Sequence, residues 1–288
     1  MVFQNYALMP HMTIFENIAF PLRVRKRPRA EIERRVAEVL DLVRLPQVGQ
    51  RKPKELSGGQ QQRISLARAL VYNPAMILMD EPLGALDKKL REQMQLELKR
   101  LHTELRITIL YVTHDQQEAL TMSHRIVLMN VGRVEQIGTP NELYFNPRSV
   151  FAADFLGDSN LVDGRIDSLG DQVLVSIGSG AKVTARKCSF GKVGDSIKVM
   201  VRPENVAVFR GREGDGIVNR AEGVALDSII LGGVVKHFIR LDDGTVIAAQ
   251  ELTRAGQTAL SPGSWVAIGW RAEDALVLPI EGSIPANS

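Results

Sequence analysis

The sequence predicts an α/β domain over residues 1–158 followed by an all-β domain over residues 159–288. Three observations carry that expectation. Helical and strand patterns alternate up to about residue 158, the pattern of helices layered on a parallel sheet. Beyond it come short β-like runs separated by glycine-rich turns. A length of 288 residues also exceeds the roughly 100–200 of one domain. Phe155-Leu156-Gly157-Asp158 is the expected joint.

Within the first domain, Thr13 and Glu16 form a capping box ahead of a short helix. Ile32, Val36, Val39, Leu40 and Val43 recur at helical spacing, and Pro46 beyond them is a stop signal. Ala75 to Met79 and Ile107 to Thr113 are apolar runs of the kind buried in a parallel sheet. Between them a long helix lines up Leu90, Met94, Leu98, Leu101 and Leu105 on one face, so strand, helix and strand form a right-handed crossover unit. Arg125 to Asn130 and Arg133 to Ile137 read as a hairpin across Val131-Gly132. Thr139-Pro140-Asn141-Glu142 then starts a helix with cap, first-turn proline and capping-box glutamate in place.

The second domain contains an echo. Gly194 to Phe209 aligns without gaps on Gly263 to Leu278, with Arg202/Glu204 and Arg271/Glu273 in matching places. Two related β modules closing into one small barrel is the economical reading, because short paired strands must protect their edges.

Composition excludes several classes. Apolar residues at 44% and charged residues at 24% suit folded globular units rather than a fibre or a disordered tail. No window reaches the roughly 18 consecutive apolar residues of a membrane span, and the start MVFQNYALMP lacks a signal-peptide layout. A single cysteine, Cys188, rules out an internal disulfide and fits a reducing compartment. A net charge of +3 does not point to a nucleic-acid partner. The one dense basic run, Arg23, Arg25, Lys26, Arg27 and Arg29, reads as a solvated loop.

Three short motifs carry chemistry. Leu56-Ser57-Gly58-Gly59-Gln60 precedes a helix, so a serine cap and two glycines leave backbone N–H groups open at the positive end of the helix, where a phosphate binds. Taken alone, the same pentapeptide could be a mere cap. Asp80 and Glu81 end a parallel strand, at the sheet edge where ligands bind in open α/β sheets. Asp80 could hold Mg²⁺ through water, and Glu81 could polarise an attacking water. His114 ends the next parallel strand and belongs at the same edge, where it could donate a hydrogen bond to a phosphate oxygen. His11, His102, His124 and His237 have no such context and read as surface or packing residues.

Phe3-Gln4, Leu56 to Gln60, Met79-Asp80-Glu81-Pro82, Leu86-Asp87 and Thr113-His114-Asp115 resemble, in order, the Q-loop, signature, Walker B, D-loop and switch histidine of ABC ATPases. The second part, with Val201-Arg202-Pro203-Glu204 and Trp270-Arg271, is similar to the TOBE domain appended to import ATPases of polyamine, iron and maltose type. The resemblance implies a P-loop NTPase-like ABC domain, incomplete at its N-terminus, followed by an OB-like TOBE domain. It also implies ATP and Mg²⁺ as cofactors, and a homodimer in which Ser57, Gly58, Gly59 and Gln60 contact nucleotide held by the partner chain. Asp80 and Gln4 would serve the metal, and Glu81, His114 and Gln4 would be the catalytic groups. Gln4 and the segment Tyr6 to Pro10 would report nucleotide state to integral-membrane permease subunits, and Asp87 would contact the second ATPase subunit. An extracytoplasmic solute-binding protein would be an indirect partner, and the location the cytoplasmic face of the inner membrane. Phe155 to Asn160 and the Q-loop region resemble polyamine importers most.

The resemblance also departs from the family at one point. No stretch matches G-x-x-x-x-G-K-[ST], and Gly191-Lys192 lacks the rest of that pattern. Met1 therefore reads as an internal methionine or the edge of an incomplete sequence. The chain as written is expected to bind Mg-ATP negligibly, to be inactive alone, and to leave a bare strand edge and uncovered apolar surface. Two other readings remain at this stage. One is a soluble ABC ATPase outside transport, which would bring a second cassette or coiled-coil insertions; the other is a non-catalytic regulatory fragment.

Overall fold

The computed structural model describes residues 1–3, 5–84, 86–178, 181–209, 217–254 and 259–280. By internal contacts the chain divides into Met1–Met122 and Ser123–Ser288.

The first unit begins with α1 (Ile14–Val24), capped by Thr13 and Glu16 in a complete capping box. Next comes α2 (Arg29–Leu42), whose Ile32, Val36, Val39 and Leu40 are buried as their spacing requires. The basic residues of the turn between them are exposed. After α3 (Gly58–Leu70), β1 (Met76–Asp80) leads through α4 (Lys88–Leu105) to β2 (Thr108–Val112), and α5 (Gln116–Met122) ends the unit. β1 and β2 are parallel, in register from Met76 opposite Thr108 to Asp80 opposite Val112. On α4, Met94, Leu98 and Leu101 are buried, whereas Leu105 at the helix end is 38% exposed.

Two expectations for β1 are corrected here. The strand is not buried on both faces. Ile77 and Met79 point into a core shared with the helices, while Met76 and Leu78 are 50% and 41% exposed. On β2, Leu110 and Val112 share that fate at 56% and 52%. An all-apolar strand carries no alternation, so its sequence cannot say which face a helix covers. Nor is the far edge of β1 bare at its C-terminal end. Val2 N–H donates to Leu78 O at 2.8 Å and Val2 O accepts from Asp80 N–H at 3.0 Å, forming a parallel bridge.

In the second unit, β3 (Ile126–Asn130) and β4 (Arg133–Gly138) form the expected hairpin, and both turn residues, Val131 and Gly132, have positive φ of 45° and 74°. Such a pair matches the twist of a two-residue hairpin. Two short helices follow, α6 (Pro140–Phe145), with the Thr139–Glu142 capping box, and α7 (Val150–Phe155). The strand run comprises β5 (Asn160–Leu169), β6 (Gln172–Ile177), β7 (Ala181–Arg186), β8 (Ser196–Val201), β9 (Ala207–Phe209), β10 (Asn219–Ile230), β11 (Val234–Leu241), β12 (Val246–Leu252), β13 (Trp265–Trp270) and β14 (Ala275–Pro279).

These ten strands make two five-stranded antiparallel sheets, ordered β14-β8-β5-β6-β7 and β12-β11-β10-β13-β9. Their inner faces meet in one core that includes Val175, Val199, Ile239 and Ile268. The echo explains the order. The last strand of each half crosses to the other half's sheet, so β8 pairs with β14 and β13 pairs with β9. The registers match as well. Met200 lies opposite Leu276 and Val199 opposite Val277, and at the equivalent places Gly269 lies opposite Ala207 and Ile268 opposite Val208. Asn160 on β5 exchanges two hydrogen bonds of 2.8 and 2.7 Å with the backbone of Ala248, and Asn219 on β10 exchanges two of the same lengths with Thr184. His237 is fully buried, with Nδ1 2.7 Å from Ser228 Oγ and Nε2 3.3 Å from Glu251.

The echoed arginines have diverged. The Arg202 guanidinium, 2% exposed, donates to the carbonyls of Ala153, Gly157, Asp158 and Tyr144 at 2.8–3.1 Å and lies 4.2 Å over the Tyr144 ring. Arg271 reaches only Glu273 within the described residues, at 3.2 Å, and stays exposed. Arg202 thus fastens residues 144–159 to the β sheets. Those residues, given to the first domain by sequence, have their contacts with the second unit.

Candidate functional site

Glu81 follows the last residue of β1, and its backbone sits at φ 44°, in the left-handed region. A glutamate adopts that conformation only when its surroundings hold it there. Its N–H donates to Val112 O at 2.9 Å and its carbonyl accepts from Gly84 N–H at 3.2 Å, so the parallel neighbour β2 and the following turn impose the bend. The side chain is thereby turned toward the end of β2, where Glu81 Oε1 lies 2.8 Å from His114 Nδ1. A carboxylate can only accept, so Nδ1 must carry the proton. This bond, followed by the nearby charge of Glu81, raises the His114 pKa above the ordinary histidine value. The imidazole remains 75% exposed, free to meet a ligand on its other side.

Asp80 is exposed at the same strand end, with its N–H bonded to Val2 O. Among the described residues, no group of three or more His, Cys, Asp or Glu is arranged to hold a metal ion. A single outward carboxylate suits a cation that keeps most of its water, as Mg²⁺ does.

The signature pentapeptide forms the start of α3. Ser57 is the N-cap, with its hydroxyl accepting from Gln60 N–H at 3.4 Å and its own N–H donating to Gln60 Oε1 at 3.0 Å. The cap reading is therefore correct as far as it goes, and the two glycines decide what it omits. A Cβ on Gly59 would come within 2.8 Å of the Leu90 Cδ1, so any side chain there would require Leu90 to shift. On Gly58 a Cβ would meet nothing closer than Leu86 at 3.6 Å, an ordinary contact. Neither packing nor a positive φ requires Gly58 to lack a side chain.

Asp87 caps α4, accepting from Leu90 N–H at 3.0 Å, and Gly59 packs on Leu90, so the signature and the start of α4 share one contact. Asp80, Glu81 and His114 thus come together at the sheet edge, while Ser57 to Gln60 stand by the start of α4. Gln4 lies outside the described residues. The segment after it is strained, with Tyr6 at φ 55° and Ala7 at φ 47°. From α3, Ser65 Oγ donates to Tyr6 O at 3.0 Å, and Arg68 donates to Tyr6 O at 2.9 Å and Ala7 O at 2.6 Å. Asn17, fully buried on α1, accepts from Met9 N–H at 2.8 Å and donates to Met9 O at 3.1 Å. The helix that begins at the signature therefore also holds Tyr6 and Ala7, while α1 holds Met9.

The family described as "ABC transporter" matches residues 1–84, and that described as "TOBE domain" matches residues 199–278. The spermidine/putrescine import ATP-binding protein PotA of Rubrobacter xylanophilus is 46% identical over 280 residues, 96% of this chain and 73% of that protein. The PotA proteins of Thermobifida fusca and Thermotoga maritima are 46% and 43% identical, over 97% and 85% of this chain and 73% and 67% of their own lengths. The chain belongs to the ABC transporter ATP-binding family. It is an ABC-type ATPase with a TOBE domain, as its motifs implied.

Three residues around His114 escaped sequence reasoning as a set: Arg91, Asp115 and Glu118. Glu118 is 3% exposed, and its Oε2 accepts from Tyr111 OH at 2.7 Å and Thr113 Oγ1 at 2.9 Å. Burial and this carboxylate acceptor push the Tyr111 pKa far up, so the phenol stays a donor. The one legible signal was the spacing of Asp115 and Glu118, three residues apart, which the structure uses as a cap: Asp115 Oδ1 accepts from Glu118 N–H at 3.1 Å.

Proposed function

We propose that this chain is the ATP-hydrolysing subunit of an importer for polyamines such as spermidine or putrescine. The observation that carries the reading is the 2.8 Å bond between Glu81 and His114 at the C-terminal ends of two parallel strands. The relatives' names supply the solute. Residues 1–158 serve as the nucleotide-binding domain and residues 159–288 as the TOBE-like regulatory domain.

Each residue contributes through chemistry it already displays. Ser57, Gly58 and Gly59, with Gln60 bracing the cap, offer first-turn N–H groups to the γ-phosphate oxygens of ATP held by a second ATPase subunit, one that carries the G-x-x-x-x-G-K-[ST] loop no stretch of this sequence matches. Asp80 takes Mg²⁺ through water, and bound Mg²⁺ would neutralise charge developing between the β- and γ-phosphates. Glu81 accepts a proton from, or orients, the attacking water. His114, fixed through Nδ1, presents Nε2 to a γ-phosphate oxygen. Gln4 serves the metal and the water, and Asp87, beyond capping α4, faces the second subunit. The protein acts at the cytoplasmic face of the inner membrane, peripherally, with integral-membrane permease subunits and, through them, a solute-binding protein. Nucleic acid plays no part. No helix among the described residues is long and apolar enough to cross a membrane, which supports a peripheral association with such subunits.

The test is Glu81→Gln in the protein assembled with its permease in the native host. Loss of the base is expected to slow hydrolysis on the order of 10²- to 10⁴-fold while ATP still binds. Normal turnover in that variant would remove Glu81 from its role, and absence of ATP hydrolysis in the unaltered assembly would remove the reading altogether.

A further inference from the structure

A 2.8 Å bond between Glu81 and His114 has meaning only if the turns that carry them are held in a fixed relation. Glu81 is held by its backbone bonds to Val112 and Gly84. For His114 the backbone offers less, because the residue stands between the end of β2 and the start of α5, outside both. What fixes it is a set of side chains. Asp115 N–H donates to Thr113 Oγ1 at 3.0 Å, and Thr113 Oγ1 in turn donates to Glu118, so the residues on both sides of His114 are tied to one buried carboxylate.

Arg91, one turn into α4, reaches into this set. Its NH1 donates to Asp115 Oδ2 at 3.0 Å, its NH2 donates to Leu86 O at 3.2 Å, and its Nε lies 3.9 Å from Glu118 Oε1. Its own N–H donates to Asp87 O at 2.8 Å. One planar fork therefore spans two turns: the Leu86–Asp87 turn that caps α4, and the turn that carries His114. Among the described residues the buried Nε makes no hydrogen bond of its own, and the guanidinium is held by these two turns and the Glu118 charge.

We infer that Arg91 is a positioning residue for hydrolysis, locking the His114 turn to the Leu86–Asp87 turn so that a shift of Asp87 moves His114 against Glu81. The inference rests on the ATPase reading above and adds a mechanical link between the turn that faces a second subunit and the group that faces the phosphate. Lysine is a poor replacement here, because its three N–H donors radiate from a single nitrogen and do not reproduce the planar spread of NH1 and NH2, which here serve two separate acceptors. Neither sequence motif contains Arg91, and its role comes only from the fold that brings the two turns to opposite sides of its fork.

The experiment is steady-state ATP hydrolysis by the native assembly with its permease, comparing unaltered protein with Glu81→Gln, Arg91→Ala, Arg91→Lys and Asp115→Asn. Misplacing His114 by about an ångström is expected to lower kcat on the order of 10- to 100-fold in Arg91→Ala, with KM for ATP changed by less than about 2-fold. Arg91→Lys should not rescue the rate. Asp115→Asn keeps the acceptor that caps Glu118 but loses the ion pair, so it should show the same split without loss of fold, and combining it with Arg91→Ala should add little. A KM rise equal to the kcat loss, full rescue by lysine, or wild-type kcat in Asp115→Asn would each overturn the inference. The ATPase reading is judged separately: it fails if the unaltered assembly does not hydrolyse ATP or if Glu81→Gln does so normally, and those two results do not depend on Arg91.

Discussion

In Met1–Met122 the parallel sheet turns Met76, Leu78, Leu110 and Val112 to solvent, each about half exposed, whereas in Ser123–Ser288 two sheets of equal size cover each other's apolar faces. Backbone strain and unmet polar atoms occur in both units, as Val131 at φ 45° and Trp270 Nε1 show in the second, but the strained residues of the first lie beside the motifs. In the first unit Glu81, Tyr6 and Ala7 sit in left-handed conformations beside motif residues, and Gln62 is 2% exposed with neither amide atom hydrogen-bonded. In the second, the buried Asn160, Asn219 and Arg202 each meet backbone partners at 2.7–3.1 Å. A duplicated module that swaps its last strand satisfies edges and core within itself. The unit that carries the chemistry keeps strain and open surface, the usual condition of a site whose groups must meet a ligand.

The largest effect should come from breaking the second unit at its divergent arginine. Arg202→Ala takes the guanidinium donor from four carbonyls of residues 144–158, of which, among the described residues, Ala153 and Gly157 keep only the shared Ser159 hydroxyl. A loss of about 3–4 kcal/mol is expected, against less than about 0.5 kcal/mol for the exposed Arg271→Ala. Both tryptophans, Trp265 and Trp270, lie in this unit, so urea unfolding followed by their fluorescence reads it alone. Equal costs for the two variants would mean that the echoed arginines have not diverged in task.

A smaller and symmetric effect is expected for the two asparagines. Asn160→Ala and Asn219→Ala each strand a partly buried backbone N–H and C=O on the opposite half, so each should cost about 2 kcal/mol by the same fluorescence. A large difference between them would show that the two halves do not share their load as their matched registers imply.

The first unit should respond in the opposite sense. Leu110→Ser on the open face should change stability by less than about 0.5 kcal/mol and lower aggregation measured by light scattering, whereas Ile77→Ala on the covered face should cost about 2–4 kcal/mol. A costly Leu110→Ser would mean that something covers that face in solution.

The subtlest effect concerns charge. His114 has its pKa raised by the bond to Glu81, so its imidazole should titrate above the ordinary value of 6.5. A raised folded value means that the protonated pair favours the fold below the unfolded histidine's pKa, and that this contribution fades as pH rises through the folded value. A proton NMR titration of the His114 ring should therefore show a midpoint above 6.5 that falls in Glu81→Gln. An unmoved midpoint in that variant would break the pairing.

What could be read from residue order alone was local or repetitive. The capping boxes at Thr13 and Thr139, the serine cap at Ser57, the hairpin at Val131-Gly132 and the echo of residues 194–209 in 263–278 all depend on contacts a few residues apart or on outright repetition, and each appears in the structure. Asp80, Glu81 and His114 were legible for a related reason, since parallel strands joined by one helix must bring their C-terminal ends to one edge. The tertiary structure alone decided the rest: which face of the apolar β1 is covered, that Gly59 lies against Leu90 while Gly58 has only ordinary contacts, that Arg202 and Arg271 have parted ways, and that Arg91 bridges two turns, reaching Asp115 24 residues further along the chain. A charged side chain's partners across the fold leave no periodicity in the sequence. An arginine on a helix reads as solvent-facing until the elements packed around it supply the carbonyls and carboxylates that hold it.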